Sequence, residues 1–250
     1  MPQPRPDLDI RLRSWLFFLL YNLMGIVHSV LCLLVAPFQS FEQRYRFVNL
    51  WTRATLWLLR TLNGIDVRVE GLEHIPRDEP VVIMSNHQSE WETFYLQLLV
   101  SPQATVVKRE LLGIPFFGWG LALLKPIAID RGSPTAALKT ILKTGKERLD
   151  EGISVVIYPE GARQLPGQLG RFNAGGAMLA CRAGRRVLPV AHNAGDCWPH
   201  RSLLRHPGTI HLRIGPPMAC EDGDVKALNA RVEQWIRENA AELMQPRPGK

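Results

Sequence analysis

The sequence predicts an α/β fold, with a mixed, mostly parallel sheet flanked by helices and an N-terminal membrane-associated helical segment. Two features of the 250-residue chain lead to this prediction. After Gly64, short apolar runs alternate with stretches of helical periodicity, which is the pattern of strands and helices packed in layers. Before that point lies a long apolar segment without charged residues, which is typical of a membrane helix.

The first apolar segment covers residues 15–38 and contains no Lys, Arg, Asp or Glu. About 20 apolar residues cross a bilayer, so its length permits a span. In the second segment, residues 47–62, Arg53 and Arg60 interrupt leucines and tryptophans, which favours an amphipathic helix at the membrane interface. Arginines lie on both sides of the first segment, so the positive-inside rule does not choose an orientation. A helical hairpin that dips into one leaflet fits both segments at least as well as a single span.

The chain divides into N-terminal membrane-anchoring helices (residues 1–64), one α/β domain (65–244) and a flexible tail (245–250). Apolar runs predict seven strands, at residues 67–69, 81–84, 104–107, 126–129, 154–157, 187–191 and 209–214. Helices are predicted at residues 90–99, 134–150, 174–183 and 224–244. Ser133 is the expected cap of the second helix, with Pro134 as its first residue.

The composition restricts the kinds of partner. A formal net charge of +7 favours an acidic one, such as anionic lipid or a phosphorylated substrate. Nucleic acid is excluded as a partner because there is no Lys/Arg block, RNA-binding signature or zinc-finger spacing. The four cysteines, Cys32, Cys181, Cys197 and Cys220, show no metal-ligand spacing. We therefore expect no metal and four reduced thiols in a protein that faces the cytosol.

A candidate catalytic pair follows the apolar run at residues 81–84. His87 follows the end of this run by three residues, and Glu92 lies five residues later. A neutral imidazole can remove a proton from a hydroxyl, and a carboxylate can orient the ring. The spacing has a second interpretation, because Ser89 and Glu92 also form the S-x-x-E pattern of a helix capping box. The two interpretations are compatible in part, since a cap at Ser89 would hold the turn that aims His87.

Polar residues follow several of the predicted strands. His87, Lys108, Arg131 and Glu160 each come just after one. In an open α/β sheet, ligands bind beyond the carboxyl ends of the strands, so we expect these side chains to form one site. Glu160 belongs to the cluster Y-P-E-G-A-R at residues 158–163, which is alternatively a tight turn with a surface ion pair.

These clusters resemble the blocks of the glycerolipid acyltransferase family, in the family's order. Residues 86–92 (NHQSEWE) resemble the first block, and residues 108–118 with Ile129-Asp130-Arg131 resemble the second. Residues 158–163 (YPEGAR) resemble the third, and residues 187–190 (VLPV) the last. Two positions depart from the family pattern: Glu92 stands where Asp is usual, and Ala162 where Thr or Ser is usual.

The resemblance implies that residues 65–244 are an acyltransferase catalytic domain that needs no cofactor. An acyl group would pass directly from acyl-CoA or an acyl-carrier protein thioester to the sn-2 hydroxyl of lysophosphatidic acid, a lysophospholipid acceptor. We expect this at the cytoplasmic face of the inner membrane, with the bilayer as a partner.

In this scheme His87 is the base and Glu92 orients its ring. Lys108 or backbone N–H groups after Asn86 would stabilise the oxyanion. The substrate-binding candidates are Lys108, Arg131, Glu160, Gly161 and Arg163. The two arginines would grip the phosphate, Glu160 would hold an arginine or the glycerol, and Gly161 would permit close backbone approach.

Three alternatives stay open. A different lyso-lipid acceptor is possible because Ala162 and Glu92 depart from the family pattern. An inactive lipid-binding relative would follow if Glu92 failed to hold His87. A serine hydrolase is disfavoured because no G-x-S-x-G motif occurs. Acyl-chain length, the choice of donor and the oligomeric state do not follow from the motifs.

Overall fold

The computed structural model describes residues 7–244, and they form a layered α/β domain with a helical hairpin at its N-terminus. The predicted tail at 245–250 lies outside the described residues. The helices are α1 Leu8–Val35, α2 Phe41–Asn63, α3 Trp91–Leu99, α4 Phe117–Ala122, α5 Pro134–Asp150, α6 Gly175–Ala183, α7 Ala194–Cys197 and α8 Val225–Met244. The strands are β1 Ile65–Glu70, β2 Val82–Ser85, β3 Gln103–Lys108, β4 Ile127–Ile129, β5 Ser154–Ile157, β6 Val187–His192 and β7 Gly208–Ile214.

The seven strands form one sheet in the order β1-β7-β6-β2-β5-β3-β4. All neighbouring pairs are parallel except β6 and β7. This confirms the predicted mixed, mostly parallel sheet flanked by helices. Strand β2 lies between β5 and β6, with Ile83 opposite Val156 on one side and Leu188 on the other. The loops that follow these three strands therefore meet at one edge of the sheet.

The central strands read as continuous apolar runs because both of their faces are covered. Every residue of β2, β5 and β6 is buried, as expected for parallel strands between helical layers. One core cluster joins the sheet to residues of α1, α2 and α3. The other joins it to α5, α6 and α8. Helices on both faces hold the central strand ends in fixed positions.

The N-terminal hairpin consists of α1 and α2, which pack against each other and against the α/β domain. A capping box starts α2: Ser40 accepts the Gln43 N–H, and the Gln43 side chain accepts the Ser40 N–H. Gly64 ends α2 in the left-handed conformation, which glycine adopts without steric cost. The second apolar segment is therefore helical, as predicted, although it begins earlier than residue 47.

One local expectation is wrong. Cys181 and Cys220 form a disulfide across 39 residues of sequence, whereas four reduced thiols were expected. Their pairing depends on where α6 meets the segment after β7, and the spacing of cysteines in the sequence does not report that contact. Ser133 is the N-cap residue of α5 and Pro134 is its first residue, as predicted. The Ser133 side chain, however, makes no capping hydrogen bond.

Candidate active site

The site is built around His87, in the buried loop that leaves β2. Its side chain is 9% exposed, and Nδ1 lies 2.8 Å from Oε1 of Glu92. With Nδ1 held by a carboxylate, Nε2 is the nitrogen that can accept a proton from a substrate. Its ring also stacks on Tyr158, with ring centroids 4.1 Å apart. The imidazole is thus held on one edge and one face.

Glu92 is the second residue of α3 and is fully buried. Besides His87, its Oε1 accepts the backbone N–H groups of Gln88 at 2.8 Å and Ser89 at 2.7 Å. Burial raises the pKa of this carboxyl, but His192, His87 and the Ser89 N–H together outweigh it, so the net pKa is lowered. Glu92 is therefore ionised at neutral pH, as the orienter of a base should be.

Both interpretations of the S-x-x-E pattern are realised in part. Glu92 accepts the Ser89 N–H, as in a capping box. The Ser89 hydroxyl, however, accepts the N–H of Trp91 at 3.1 Å rather than that of Glu92. The same carboxylate oxygen that caps the turn also holds His87. Local folding and ring orientation are consequently linked through one atom.

Glu160 connects the loop after β5 to the His87 loop. Its Oε1 accepts the His87 N–H at 2.8 Å, and its Oε2 accepts the Gly170 N–H at 2.5 Å. The Gln164 N–H also donates to the His87 carbonyl at 2.8 Å. Burial raises the pKa of Glu160. Within residues 7–244 Glu160 forms no ion pair with an arginine, and its two oxygens bind backbone N–H groups of two loops. The alternative that Glu160 bonds the glycerol stays a prediction.

The backbone N–H groups after Asn86 were expected to stabilise an oxyanion, and the structure contradicts this. The His87 N–H donates to Glu160, and the N–H groups of Gln88 and Ser89 donate to Glu92. These donors shape the loop instead. The three N–H groups are engaged because the chain here must turn sharply from β2 into α3 without leaving buried polar atoms unpaired.

His192, the last residue of β6, was not selected from the sequence. Asn86 and His192 share three hydrogen bonds: Nδ2 to the His192 carbonyl, the His192 N–H to Oδ1, and Nε2 of His192 to the Asn86 carbonyl. Nδ1 of His192 accepts the Ala194 N–H, and burial lowers the pKa of the ring, so it is neutral with Nε2 protonated. The strand-end rule that selected His87 also applies to His192.

Tyr158 is the second residue whose role was missed. It was noted as part of the Y-P-E-G-A-R cluster, but nothing local shows that its ring covers His87. Its hydroxyl is buried and has no hydrogen-bond partner among residues 7–244. Burial, with a smaller effect from Glu92, raises the pKa of this phenol well above its usual value.

Arg163 lies beside the His87 loop and is part of the same site. Its Nη1 is 3.2 Å from Oε1 of Glu90 and 3.3 Å from Nδ1 of His200. It lines a cavity of about 330 Å³. Gly161, two residues earlier, has a φ of +71°, where a side chain would be strained. Glu160, Gly161 and Arg163 thus stand at the predicted position, on the loop next to His87.

Lys108 and Arg131 lie at the same edge of the sheet but farther along it. Lys108 ends β3 and pairs with Glu110 at 3.2 Å on the surface. Arg131 is exposed in the turn after β4. In the strand order these positions are two and three strands from β2, or about 10 and 14 Å at the usual strand spacing. Within residues 7–244 neither pairs with His87 or Glu92.

The geometry defines a class of chemistry. A buried His–Glu pair whose Nε2 has no partner among residues 7–244, beside an arginine-lined cavity, suits proton removal from a hydroxyl on an anionic substrate. A hydroxyl activated in this way is a nucleophile for acyl transfer. Within residues 7–244, no cluster of three or more His, Cys, Asp or Glu side chains is arranged as a metal site.

The chain belongs to the acyltransferase family, whose model matches residues 66–193. It is 49% identical over 236 residues to the 1-acyl-sn-glycerol-3-phosphate acyltransferase of Pseudomonas aeruginosa, covering 93% of this chain and 91% of that one. It is 29% identical over 240 residues to the chloroplastic 1-acyl-sn-glycerol-3-phosphate acyltransferase LPAT1 of Arabidopsis thaliana, covering 92% and 65%.

The fold is also similar to a solved structure. The crystal structure of the 1-acyl-sn-glycerophosphate acyltransferase PlsC from Thermotoga maritima superposes with a TM-score of 0.79, at 22% identity, and covers 95% of this chain and 97% of that one. The two chains therefore share their architecture, including the N-terminal helices.

Proposed function

We propose that this protein transfers an acyl group from an acyl thioester to the sn-2 hydroxyl of lysophosphatidic acid, which gives phosphatidic acid. The observation that carries the proposal is the 2.8 Å contact between His87 Nδ1 and Glu92, which leaves Nε2 for the hydroxyl proton. The names of the relatives supply the acceptor. No cofactor is needed, because the thioester already activates the acyl group.

The proposed reaction is direct. Nε2 of His87 removes the sn-2 proton while the hydroxyl oxygen attacks the thioester carbonyl carbon. The tetrahedral intermediate then breaks its C–S bond, and the leaving thiolate takes the proton from the imidazolium. Glu92 stabilises that imidazolium during the reaction. Positioned general-base catalysis of this kind contributes about 10²–10⁴-fold in rate.

The geometry of Glu92 supports an active enzyme rather than an inactive lipid-binding relative. The hypothesis of an inactive relative depended on glutamate failing to hold the histidine. The extra methylene is accommodated, because three donors converge on one carboxylate oxygen. Ala162 remains the one departure that bears on the acceptor. It is exposed on the loop next to Arg163, so it favours testing other lyso-lipids as a second candidate.

The further substrate contacts are proposals of the same kind. Arg163 would bind the acceptor phosphate, and Gly161 would allow the acceptor to approach the backbone. Lys108 and Arg131, farther along the sheet edge, would contact the donor or the outer part of the acceptor. Either acyl-CoA or an acyl-carrier protein thioester is the donor, and the formal charge of +7 favours both of these acidic molecules.

The N-terminal helix indicates membrane association. Residues 8–38 form one helical stretch long and apolar enough to cross a bilayer, and only 11% of its most apolar window is buried within the protein. This segment exposes a long series of large apolar side chains: Leu8, Leu12, Trp15, Leu16, Phe18, Leu19, Leu23, Ile26, Val27, Val30, Leu31, Leu33, Leu34 and Phe38. A lipid surface is the environment that covers such a face.

The contacts of α1 favour a hairpin within one leaflet. Near one end, the Ser14 hydroxyl accepts the Arg205 N–H at 2.9 Å. Near the other, Cys32 packs in a cluster with Leu124. These positions are about 27 Å apart along the helix axis, so α1 lies along the α/β domain over most of its length. A helix held in this way cannot cross the bilayer while the domain stays in water.

We propose that the domain faces the cytoplasm at the inner membrane, where acyl thioesters are found. The Cys181–Cys220 disulfide instead favours an oxidising compartment outside the cytoplasm, because the reducing cytosol keeps thiols free. Protease treatment of spheroplasts and of inverted vesicles decides this. Digestion only in inverted vesicles is expected, and digestion in spheroplasts would place the domain outside.

The function is tested with purified full-length protein in detergent, labelled acyl-CoA or acyl-carrier protein thioester, and lysophosphatidic acid. Wild type should form phosphatidic acid, and His87→Ala should lose at least about 100-fold in kcat. His74→Ala, in the short helical turn after β1, is the matched control. If wild type forms no product, lysophosphatidic acid is refuted as the acceptor. A panel of other lyso-lipids then tests the second candidate function, acyl transfer to a different lyso-lipid.

A further inference from the structure

The cavity next to the active site has walls from two distant parts of the chain. Phe18 and Tyr21 of the apolar helix α1 line one part, and residues 198–203 with Arg205, between α7 and β7, line another. Glu90 and Arg163 close the side toward the catalytic loop. The volume is about 330 Å³, within the range of small-ligand sites.

The cavity is strongly cationic. It contains the guanidinium groups of Arg163, Arg201 and Arg205 against a single carboxylate, that of Glu90, so the formal balance of these four groups is +2. Burial, followed by the neighbouring arginines, lowers the pKa of His200 in the same wall. Three arginines that share one carboxylate are matched to a multiply charged anion.

Arg205 is held in place before any ligand binds. It is 6% exposed, and its guanidinium lies 4.1 Å from the Trp198 ring centroid. Its Nη1 donates to the carbonyls of Ser202 and Leu204, and Nε has no partner among residues 7–244. Burial lowers its pKa to about 10, so it stays cationic at neutral pH. A preorganised, buried cation of this kind is unusual unless an anion binds nearby.

Arg201 is presented by a strained turn. Its φ is +61°, a conformation that costs a non-glycine residue energy and that is found preferentially at functional sites. Its side chain is exposed and lines the cavity. Arg201 therefore contributes an exposed cation to the cavity, whereas Arg205 contributes a buried one.

Two of the residues that line the cavity are close in sequence to the catalytic loop. Glu90 is two residues before Glu92, and Arg163 is adjacent to Gln164, whose N–H bonds the His87 carbonyl. The part of the cavity that α1 lines borders the face of this helix that is exposed to lipid. An amphiphile with its anionic head among the arginines and its chain along α1 would thus have the intervening glycerol close to His87.

We propose that this cavity binds the phosphomonoester head of the acceptor, with Arg201 and Arg205 as phosphate ligands beside Arg163. The inference rests on the proposed function, whose reacting hydroxyl it positions. It assigns the acceptor phosphate to the segment between α7 and β7, which carries none of the sequence blocks that led to the site.

The kinetic test compares Arg201→Gln and Arg205→Gln with wild type, using Arg205→Lys to preserve the buried charge if glutamine prevents folding. Arg68→Gln, an exposed arginine on β1, is the matched control. The KM for lysophosphatidic acid should rise about tenfold or more in both glutamine variants, the loss expected for one charge-assisted contact. The KM for the thioester should not change. An unchanged acceptor KM in Arg201→Gln overturns the proposal, as does a rise confined to acyl-CoA, which would assign the cavity to donor phosphates.

Binding measurements separate this inference from the proposed reaction. Wild type should bind lysophosphatidic acid at least tenfold more tightly than monoacylglycerol with the same chain, and Arg201→Gln should lose that preference. If wild type forms no phosphatidic acid but shows this preference, the proposed reaction is refuted and the proposed phosphate site is supported. Glycerol 3-phosphate and inorganic phosphate should bind more weakly than the lipid. Equal affinity would overturn the lipid assignment, and no preference for the phosphate would overturn the site.

Discussion

Glu92 illustrates how one residue can satisfy two demands. Its Oε1 closes the turn between β2 and α3 through two backbone N–H groups, and the same atom holds Nδ1 of His87. Its other oxygen is buried without a hydrogen-bond partner among residues 7–244. The longer side chain of glutamate, compared with the aspartate usual in the family, is therefore accommodated by converging donors on one oxygen.

Replacing Glu92 tests this arrangement. Glu92→Gln removes the charge, so the amide no longer stabilises the imidazolium or selects its tautomer. By analogy with the carboxylate of catalytic triads, kcat should fall about 10³–10⁴-fold. Glu92→Asp should retain more activity than Glu92→Gln, because it keeps the charge. Steady-state kinetics of both variants are compared with Glu147→Gln, an exposed control on α5. Near-wild-type kcat in Glu92→Gln would show that the pair is only structural.

Tyr158 offers a second test at the same scale. Tyr158→Phe keeps the ring stacked on His87 but removes a buried hydroxyl without a partner. Stability to urea should be unchanged or rise by about 1 kcal/mol, since an unsatisfied polar group is lost, and kcat should be retained. Tyr158→Leu, which removes the stacking surface, should lower kcat. A large loss of kcat in Tyr158→Phe would instead assign the hydroxyl a part in the reaction.

At the level of elements, the sequence predicted local structure well. All seven strands and the four helices expected after residue 64 are present, and most of their ends agree within two residues. Strand β5 and helix α5 agree at both ends. This follows because apolar periodicity and turn residues report on the nearest neighbours of each residue. Ser133 is the N-cap residue of α5 as predicted, but its side chain makes no capping hydrogen bond, because that bond depends on side-chain orientation as well as on residue type.

Membrane binding through the exposed face of helix α1 can be tested by substitution. Leu19 and Leu23 are more than half exposed, so replacing both by glutamate places charges on the face assigned to lipid. The double variant should shift from the membrane to the soluble fraction in vesicle flotation, since each buried charge is costly in hydrocarbon. Thr135→Glu with Ala136→Glu, on the exposed start of α5, should still float. Full flotation of the α1 variant would remove this face as the membrane contact.

At the scale of the whole molecule, stability should depend on pH through Glu92. Its pKa is lowered on folding, so the folded state holds fewer protons than the unfolded state near the ordinary value of 4.5. The stabilising contribution is present above that value and is lost as the pH falls through the lower folded pKa. The free energy of unfolding of wild type, measured by urea titration, should therefore decrease below about pH 4.5.

The matched measurement uses Glu92→Gln over the same pH range. The difference in unfolding free energy between wild type and variant should shrink toward low pH, where the wild-type carboxyl is protonated. Glu160 acts in the opposite sense, because its raised pKa makes its ionised form unfavourable as the pH rises. A difference that stays constant from pH 7 to pH 3 would contradict the assignment to Glu92.

Residue spacing alone was enough to determine the α/β class, most segment boundaries, the His87–Glu92 pair and the family resemblance. These depend on residues a few positions apart, where turn geometry and apolar periodicity act directly. The tertiary structure was required for the strand order, which separates Arg131 from Arg163, and for the Cys181–Cys220 pairing. It also brought Arg205 to Ser14, 191 residues earlier in the chain. Such contacts arise from the packing of whole helices and sheets against a common core, and that packing leaves no signature within any short stretch of residues.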